Sequence, residues 1–466
     1  MTPYHLFEYR GVPFVYHRAL GKFMSISRAA YDYLELRQTF SKDEVEAKFR
    51  ARHPAAVDVL AEVGTLEANG FFQPVEAELC GDSEFEEALA RRYSENWSRL
   101  ELSLSERCNL ACRYCYCGTC RDEVPNSGLM PSEIARRAVE WLFAHSGKDD
   151  VSITFFGGEP LLNKQVMKEA IALSQKLAAE RGVKAEYVMT TNGTLLDDEA
   201  IDLIKTYNFG LMVSLDGPQE LHDAQCPTRD GNGSWDLATA GIRRLMKRRS
   251  RVTVRCTMAH PVPDLMKLIR FFDGFGFTRI VLGPVSNPIF PSACDFTAED
   301  RRQMERQTAD EVVPWMLDEV ASGREPKYNP FSDLEEDQVC ARAPGVSPFR
   351  CGACRGTTTV GADGTLYPCH RFVGMKDWVV GTMAEGPDLD RCRAFWRNWR
   401  ACVKETCSKC WAYRICGGPC PWAVAREDGT FRMDPSYCDE VLGNIRQGAW
   451  YLDLKRRQQT NKGEVT

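Results

Sequence analysis

The sequence predicts an α/β protein built around a partial (β/α)6 barrel, with a winged-helix-like α+β module before it and a cysteine-rich domain after it. Six strand candidates alternate with amphipathic helices between Leu100 and Val285, a pattern typical of a parallel sheet with helices outside it. Short alternating apolar runs precede residue 78. Eleven of the 20 cysteines lie between Cys340 and Cys438. We expect an N-terminal module over 1–78, a linker over 79–97, the barrel over 98–290, a helical and irregular bridge over 291–345, and the C-terminal domain over 346–466.

The composition excludes several classes of protein. The 466 residues allow roughly two to four domains, and 44% hydrophobic with 27% charged residues are typical of a soluble globular chain. A net charge of −6 argues against nucleic acid as a partner. The chain has no apolar run of about eighteen residues and no export signal over residues 1–23. We therefore expect no membrane partner, a cytoplasmic location, and cysteines that serve metal sites instead of disulfides.

The N-terminal module has the pattern of a small peptide-binding unit. Ser41 and Glu44 fit a capping box at the start of a helix. Small winged-helix modules can bind peptides by adding a strand to an exposed sheet edge, and a stabilising appendage is the alternative. The alternating runs over 4–10, 12–20 and 22–27 predict a hairpin or three strands. The other predicted elements are helices over Arg28–Arg37, Lys42–Arg52 and Ala55–Asn69, a return strand that starts at Phe71–Phe72, and a helix-like linker over Asp82–Arg92.

The barrel region places its unusual motifs at the ends of strands. In such barrels the chemistry occurs on loops after the carboxyl ends of the strands. A Cys-x3-Cys-x2-Cys loop follows the first strand, Gly-Gly-Glu-Pro the second, Thr-Asn-Gly the third, and Asp-Gly the fourth. The predicted strands cover 100–105, 151–157, 185–191, 210–216, 251–258 and 279–285, and the predicted helices cover Pro131–His145, Lys164–Arg181, Asp197–Tyr207, Trp235–Arg249 and Pro263–Phe275.

The first cysteine motif has the spacing of an incomplete metal site. Cys108, Cys112 and Cys115 can ligate three irons of a [4Fe–4S] cube and leave the fourth iron open to the amino and carboxylate groups of S-adenosylmethionine (SAM). Zinc is the alternative, since structural zinc sites use four ligands and Cys117 and Cys120 could supply a second pair.

Together, the cysteine loop and the three strand-end motifs resemble the radical SAM superfamily. The resemblance implies that SAM is cleaved to a 5′-deoxyadenosyl radical. It places Glu159 beside the methionine amino group, Asn192 and Ser214 at the ribose or carboxylate, and Tyr114 beside the adenine. Many relatives have an arginine near the position of Cys226, and here Arg229 is the nearest arginine. The implied SAM-binding residues are Tyr114, Gly157, Gly158, Glu159, Pro160, Asn192, Ser214, Asp216 and Arg229.

The C-terminal cysteines resemble a SPASM domain, which holds two auxiliary [4Fe–4S] clusters and brings the total to three. The resemblance assigns one auxiliary cluster to Cys351, Cys369 and Cys420, with either Cys354 or Cys340 as a fourth ligand, or with that position open to a substrate thiolate. It assigns the second auxiliary cluster to Cys407, Cys410, Cys416 and Cys438. Buried structural thiols are the expected role of Cys256, Cys294, Cys392 and Cys402.

A further detail favours thioether chemistry. Sulfatase-maturating relatives have an aspartate after the cysteine that corresponds to Cys369, whereas this chain has His370. In this respect the chain most resembles the maturases of quinohemoprotein amine dehydrogenase, which join cysteine sulfur to aspartate or glutamate methylenes. The implied partners are a small cysteine-rich protein or peptide and a flavodoxin or ferredoxin as electron donor. Such a reaction needs a base, for which Asp333 is favoured among the acids Asp333, Glu335, Glu336 and Asp337, with a solvated acidic face as the alternative. His370 is a second candidate catalytic residue, with a structural histidine as the alternative.

Three rival functions stay open from the sequence. The same clusters could support carbon–carbon crosslinking, epimerisation or dehydrogenation of a peptide side chain. An iron–sulfur electron carrier or scaffold would use the clusters without SAM cleavage. A binding-only peptide chaperone would use residues 1–78 alone.

Overall fold

The structure is a computed structural model that describes residues 2–74, 81–94, 96–117, 128–147, 149–334 and 348–461. Its centre is a ten-stranded sheet, and a separate three-stranded sheet lies near the N-terminus. Among the described residues, no helix combines the length and apolar character needed to cross a bilayer.

The N-terminal module contains the predicted three strands and three helices. Its sheet is antiparallel in the order β1-β2-β3. The capping box of Ser41 and Glu44 is confirmed at the start of α2. The elements are β1 Tyr4–Tyr9, β2 Val12–His17, β3 Lys22–Ser25, α1 Arg28–Arg37, α2 Lys42–Arg52 and α3 Val57–Ala68.

The predicted return strand at Phe71–Phe72 is wrong. Gly70 has a φ of +76°, and the chain turns there instead of extending. The Phe71 ring stacks on Tyr4 with centroids 5.8 Å apart, so this apolar pair closes the core of the module without joining its sheet.

The barrel region follows the predicted alternation. Six consecutive strands are parallel in the order β4-β5-β6-β7-β8-β9, so all the strand-end motifs lie at one edge of the sheet. The strands are β4 Arg99–Ser105, β5 Val151–Gly157, β6 Ala185–Thr191, β7 Gly210–Ser214, β8 Thr253–Met258 and β9 Arg279–Pro284. The helices from the linker onward are α4 Asp82–Ser94, α5 Ser132–His145, α6 Lys164–Arg181, α7 Asp198–Thr206, α8 Gln219–Gln225, α9 Trp235–Met246 and α10 Leu265–Phe275.

The C-terminal region extends the same sheet. Strand β10 pairs in parallel with β4, and three short antiparallel strands follow it. This pairing brings the C-terminal cysteines to the strand that leads into the Cys108 loop. The elements are α11 Ala298–Gln307, a π-helical turn Thr308–Val312, α12 Val313–Ala321, β10 Thr359–Val360, β11 Thr365–Tyr367, β12 Gly381–Thr382, β13 Gly386–Pro387, α13 Leu389–Cys407, α14 Tyr413–Cys416, α15 Pro421–Val424 and α16 Pro435–Asn461, with 3-10 turns at Pro160–Asn163, Ser332–Leu334, His370–Phe372 and Lys376–Trp378.

Candidate metal and cofactor site

The Cys108 loop is fixed by the segment that follows β7. The backbone N–H groups of Ala111 and Arg113 donate to the carbonyls of Pro227 at 2.8 Å and Gln225 at 2.9 Å. Arg229 Nε donates to the Cys108 carbonyl at 2.6 Å. Arg229 therefore supports the backbone of the loop, and a direct contact with SAM stays a prediction.

The three thiols of this loop lie close to one another. Burial raises the pKa of the Cys108 thiol, and the nearby Glu159, Cys112 and Cys115 add to that rise. Cys108 Sγ also accepts hydrogen bonds from Leu110 N at 3.4 Å and from Asn192 Nδ2 at 3.7 Å. A bound cation reverses such pKa shifts by stabilising thiolates. The donor set therefore fits three iron ligands.

Gly157 and Gly158 bring the second strand end against this loop. A Cβ at Gly157, where φ is +135°, would lie 2.1 Å from the Ser105 carbonyl oxygen, and one at Gly158 would lie 2.4 Å from that of Arg107. The Gly158 N–H donates to Ser105 O at 2.7 Å. Only glycine permits this approach. Pro160 then begins a 3-10 turn.

Glu159 is fully buried and connects two strand ends. Its Oε1 accepts from Leu161 N at 3.1 Å and Thr191 Oγ1 at 2.8 Å, and its Oε2 accepts from Asn192 N at 2.8 Å. Burial raises the pKa of Glu159 to about 7, and these three hydrogen bonds oppose the rise. The carboxylate thus fixes the Asn192 loop, while its predicted contact with the methionine amino group is untested.

Asn192 connects the third strand end to the cysteine loop. Its Nδ2 donates to Asn109 Oδ1 at 3.0 Å, and its Oδ1 accepts from Thr194 Oγ1 at 2.6 Å. Ser214, the last residue of β7, lies half-buried at the same edge of the sheet. The structure therefore brings the predicted SAM-binding motifs together around the Cys108 loop.

Tyr114 points its hydroxyl into the fourth loop. The hydroxyl donates to Asp216 Oδ2 at 2.6 Å and lies 3.2 Å from Cys226 Sγ. Asp216 Oδ1 accepts from Thr257 N at 2.9 Å. These bonds fix the Tyr114 ring beside the cysteine loop, so its polar end is already satisfied when a cofactor binds.

Cys226 lies buried in the segment that holds the Cys108 loop. Its thiol lies against Cys112 and donates to Asp216 Oδ2 at 3.3 Å. Asp216, His222 and Cys226 could together hold a metal by distance alone. However, His222 Nδ1 accepts from Asp216 N at 3.1 Å and Nε2 contacts Ser234 Oγ at 3.0 Å. Both ring nitrogens are occupied, so this trio is a hydrogen-bonded brace.

Four cysteines face one cavity in the C-terminal domain. Cys407 ends α13, Cys410 follows it, Cys416 ends α14 and Cys438 lies in α16, and all four line the same cavity. Burial raises the pKa of Cys407 to about 12, and Cys416, Cys410 and Cys438 add to the rise. Four sulfurs around one cavity fit a closed [4Fe–4S] cluster.

Cys351, Cys369 and Cys420, called the proximal cysteine set below, are also brought together. Burial raises the pKa of Cys369, and Glu101, Cys420 and Cys351 add to the rise. The fourth position is less regular. Cys354 is buried with a φ of +60°. Its thiol contacts Cys392 and also interacts electrostatically with Cys369. Cys340 lies outside the described residues, so the choice of fourth ligand stays a prediction.

His370 lies between the barrel and these cysteines. Its Nδ1 is 3.0 Å from Oε1 of Glu101, a buried acid on β4, and its ring centroid is 4.3 Å from that of Phe156. Asp333 is exposed on the Ser332–Leu334 turn and shows no contact with the proximal cysteines, and the rest of the acidic run is not described. Glu101 was missed by sequence reasoning, although a lone acid in an apolar strand is a detectable signal.

Comparisons with known proteins agree with this geometry. Residues 102–272 match the Radical SAM superfamily. The chain is 22% identical over 324 residues to the cysteine-type anaerobic sulfatase-maturating enzyme of Clostridium perfringens, covering 68% of this chain and 86% of that protein. It is 34% identical over 137 residues to the serine-type anaerobic sulfatase-maturating enzyme of Klebsiella aerogenes, covering 29% and 33%.

Two solved structures share the fold. Native anSMEcpe with bound AdoMet and Cp18Cys peptide matches with a TM-score of 0.63 and 20% identity, covering 77% of this chain and 99% of that one. Streptococcus suis SuiB bound to precursor peptide SuiA matches with a TM-score of 0.50 and 14% identity, covering 91% and 95%. The family match gives the chain a radical SAM domain over residues 102–272, and the chain is an enzyme. Enzymes of this superfamily use a [4Fe–4S] cluster and SAM.

Proposed function

We propose that this protein is a radical SAM maturase that forms thioether crosslinks within a small cysteine-rich protein or peptide, joining cysteine sulfur to an aspartate or glutamate methylene. Relatives named as sulfatase-maturating enzymes and fold neighbours solved with peptides support a peptide substrate. Two auxiliary clusters, bound by the cysteine sets of the C-terminal domain, complete the proposed cofactors.

The proposal depends on one observation: Tyr116, His370 and Trp422 form a common wall between the Cys108 loop and the proximal cysteine set. Tyr116 directly follows Cys115, and its ring lies 6.1 Å from both the His370 and the Trp422 rings. His370 follows Cys369, and Trp422 lies two residues after Cys420. A substrate bound at this wall reaches both sites, as sulfur-to-carbon bond formation requires.

The bound cluster and SAM supply hydrogen abstraction at carbon, and the chain's residues position the partners. The braces on the Cys108 loop fix where abstraction occurs. Cys351, Cys369 and Cys420 would hold an iron site at which a substrate thiolate can be placed. The buried pair of Glu101 and His370 supplies a hydrogen-bonding wall beside it.

We assign peptide recognition to the N-terminal module. The His5 ring stacks on Trp411 with centroids 4.2 Å apart, and Arg414 Nη1 donates to the Arg18 carbonyl at 2.5 Å. Trp411 directly follows Cys410, so the module docks beside the four-cysteine cavity. A peptide held there can thread toward the mouth of the barrel.

The test is an anaerobic reaction of the reconstituted protein with SAM, a strong reductant and a candidate cysteine-rich polypeptide, such as one encoded by a neighbouring gene. The product is treated with an alkylating reagent and weighed. Loss of two hydrogens per crosslink, with the thiols protected from alkylation, is the expected result. The same mass loss with reactive thiols would indicate carbon–carbon crosslinking or dehydrogenation. If no 5′-deoxyadenosine forms, SAM is not cleaved, and the protein would instead be an iron–sulfur electron carrier or scaffold.

A matched variant separates catalysis from binding. Changing Cys108, Cys112 and Cys115 to Ala should abolish modification while peptide affinity stays unchanged. Loss of peptide affinity with unchanged modification would contradict the assignment of catalysis to the Cys108 loop and of binding to the N-terminal module. A chaperone would bind the peptide in the wild type without modifying it.

A further inference from the structure

Two arginines from different domains approach each other at the mouth of the barrel. Arg255 is the third residue of β8, and Arg371 lies two residues after Cys369. Burial lowers the pKa of Arg255, and the positive charge of Arg371 lowers it further. Arg255 also lies against Gly283, and Arg371 donates to the carbonyl of Ser286, three residues further along the same segment, so the two guanidinium groups lie near each other.

Neither guanidinium has a carboxylate partner among the described residues. The acid that interacts electrostatically with Arg255 is Asp216. The oxygens of Asp216 already accept hydrogen bonds from the Tyr114 hydroxyl at 2.6 Å and from Thr257 N at 2.9 Å. Two partly desolvated cations without a counter-charge are unfavourable unless an anion joins them. The arrangement is thus a cationic site that no acid among the described residues fills.

Arg255 is held in place by a glycine on the neighbouring strand. A Cβ at Gly283 of β9 would lie 2.4 Å from one terminal nitrogen of Arg255 and 2.7 Å from the other. The guanidinium therefore lies against the Gly283 backbone, in space that any other residue would fill. A guanidinium is planar and offers paired N–H donors that match the two oxygens of a carboxylate.

Arg371 is held by aromatic rings next to cluster cysteines. Its Cζ lies 4.7 Å from the centroid of the Tyr116 ring and 5.9 Å from that of Trp422. One of its nitrogens donates to Ser286 O at 3.3 Å, and Trp422 Nε1 donates to the same carbonyl at 3.2 Å. These contacts place one guanidinium at the wall shared by the two cysteine sites.

We propose that Arg255 and Arg371 together bind a carboxylate of the peptide substrate, the aspartate or glutamate side chain whose methylene is modified. The inference rests on the proposed function and names the group that selects the modified residue. SAM also has a carboxylate. Arg371 favours the substrate as the source, because it belongs to the wall beside Cys369 and Trp422 and not to the strand-end motifs that surround the Cys108 loop.

The test compares two synthetic pentapeptides, each with one cysteine and either one aspartate or one asparagine, titrated into reconstituted holoenzyme with excess SAM. The wild type should bind the aspartate peptide about 10-fold more tightly than the asparagine peptide. Arg255→Gln and Arg371→Gln should bring that ratio to about 1 while SAM affinity, measured without peptide, stays within about 2-fold. Arg279→Gln, an exposed arginine on β9, is the matched control and should keep the wild-type ratio.

Three results would overturn the inference. They are equal affinity of the wild type for the two peptides, no detectable binding of the aspartate peptide at millimolar concentration, and a loss of SAM affinity in Arg255→Gln. The last result would assign Arg255 to the methionine carboxylate. If Arg255→Gln does not fold, Gly283→Ala displaces the same guanidinium and should lower the ratio in the same way. Failure of the thioether proposal is seen separately, in the mass and alkylation of the product.

Discussion

The Cys108 loop and the four-cysteine cavity of the C-terminal domain are both thiol sites, but they are built differently. The loop provides three thiols and is surrounded by polar groups from several strand ends, including Asn192 and the buried Glu159. The cavity provides four thiols from helices α13, α14 and α16 and from the turn at Cys410. Apolar side chains such as Val441 and Leu442 complete the cavity.

This difference separates a site that exchanges a ligand from one that does not. A fourth iron with no protein thiol, near hydrogen-bonding groups, can accept SAM, whereas four thiols in apolar surroundings close their cluster. The comparison therefore predicts that substitutions near the first site change chemistry and that substitutions at the second mainly change stability and electron flow.

The largest effect is expected from the first cysteine set. Cys112→Ala should lower 5′-deoxyadenosine formation by about 1,000-fold or more and remove about four irons per chain, because two thiols cannot retain the cluster. Iron analysis and product chromatography measure both. Cys294→Ser, a half-buried thiol with a weak contact to Gln225, is the control and should keep wild-type iron. Full activity in Cys112→Ala would contradict the assignment of Cys112 as a ligand of the SAM-binding cluster.

The second effect concerns the glycines that bring the strand ends together. Gly158→Ala places a Cβ 2.4 Å from the Arg107 carbonyl, so the cysteine loop must shift, and SAM affinity should fall about 10-fold or more. Gly443→Ala lies within α16 with nothing near its Cβ and should stabilise the protein by about 0.5–1 kcal/mol. Equal SAM affinity in Gly158→Ala and the wild type would show that this approach does not shape the site.

The closed site should respond through stability. Cys410→Ser should lower the midpoint of thermal unfolding of the reconstituted protein by roughly 5 °C or more, since a bound cluster stabilises the folded state alone. SAM cleavage in the absence of peptide should stay near the wild-type rate. Abolished cleavage together with an unchanged midpoint would reverse the assigned roles of the two sites.

Glu159 predicts a pH dependence of the cofactor-free protein. Its folded pKa of about 7 lies above the ordinary value of 4.5, so the folded state holds a proton that the unfolded state releases. Stability should therefore fall as pH rises from about 5 to about 8, by at most about 3 kcal/mol. Chemical denaturation across this range measures it, and Glu159→Gln should lack this part of the slope. An opposite slope assigned to Glu159 would contradict its burial as the cause.

The smallest effect is expected at Arg229. Arg229→Ala removes the hydrogen bond to the Cys108 carbonyl but leaves the bonds from Ala111 and Arg113 to the β7 segment. Turnover should fall about 3- to 10-fold, consistent with loss of one charge-assisted hydrogen bond. A fall as large as that of Cys112→Ala would indicate a direct role in cofactor binding.

Local patterns predicted much of this architecture. Helix α1 begins and ends where its amphipathic pattern predicts, and the six parallel strands and their motif-bearing ends are confirmed. Both depend on short-range periodicity, which a sequence displays directly. The pair Phe71–Phe72 was misread because apolar residues after a helix can either extend or fold back, and tertiary packing on Tyr4 decided the outcome.

Long-range contacts explain what the sequence did not reveal. Nothing local indicates that Cys226 meets Tyr114, that Glu101 pairs with His370 across 269 positions, or that Arg371 approaches Arg255. The only local signal was a charged residue within a buried parallel strand, Glu101 in β4 and Arg255 in β8. Charges at such positions require a partner or a ligand, so they mark functional positions even when the partner is unknown.

The most direct test of the claim that SAM binds at the Cys108 loop alone is electron paramagnetic resonance of the reduced, reconstituted protein with and without SAM. We predict that SAM changes the signal of one cluster and leaves the remaining signals as they were. Changing Cys108, Cys112 and Cys115 to Ala should remove both that signal and its response to SAM. A SAM-dependent change that persists in this variant, or no change in the wild type, would contradict the account.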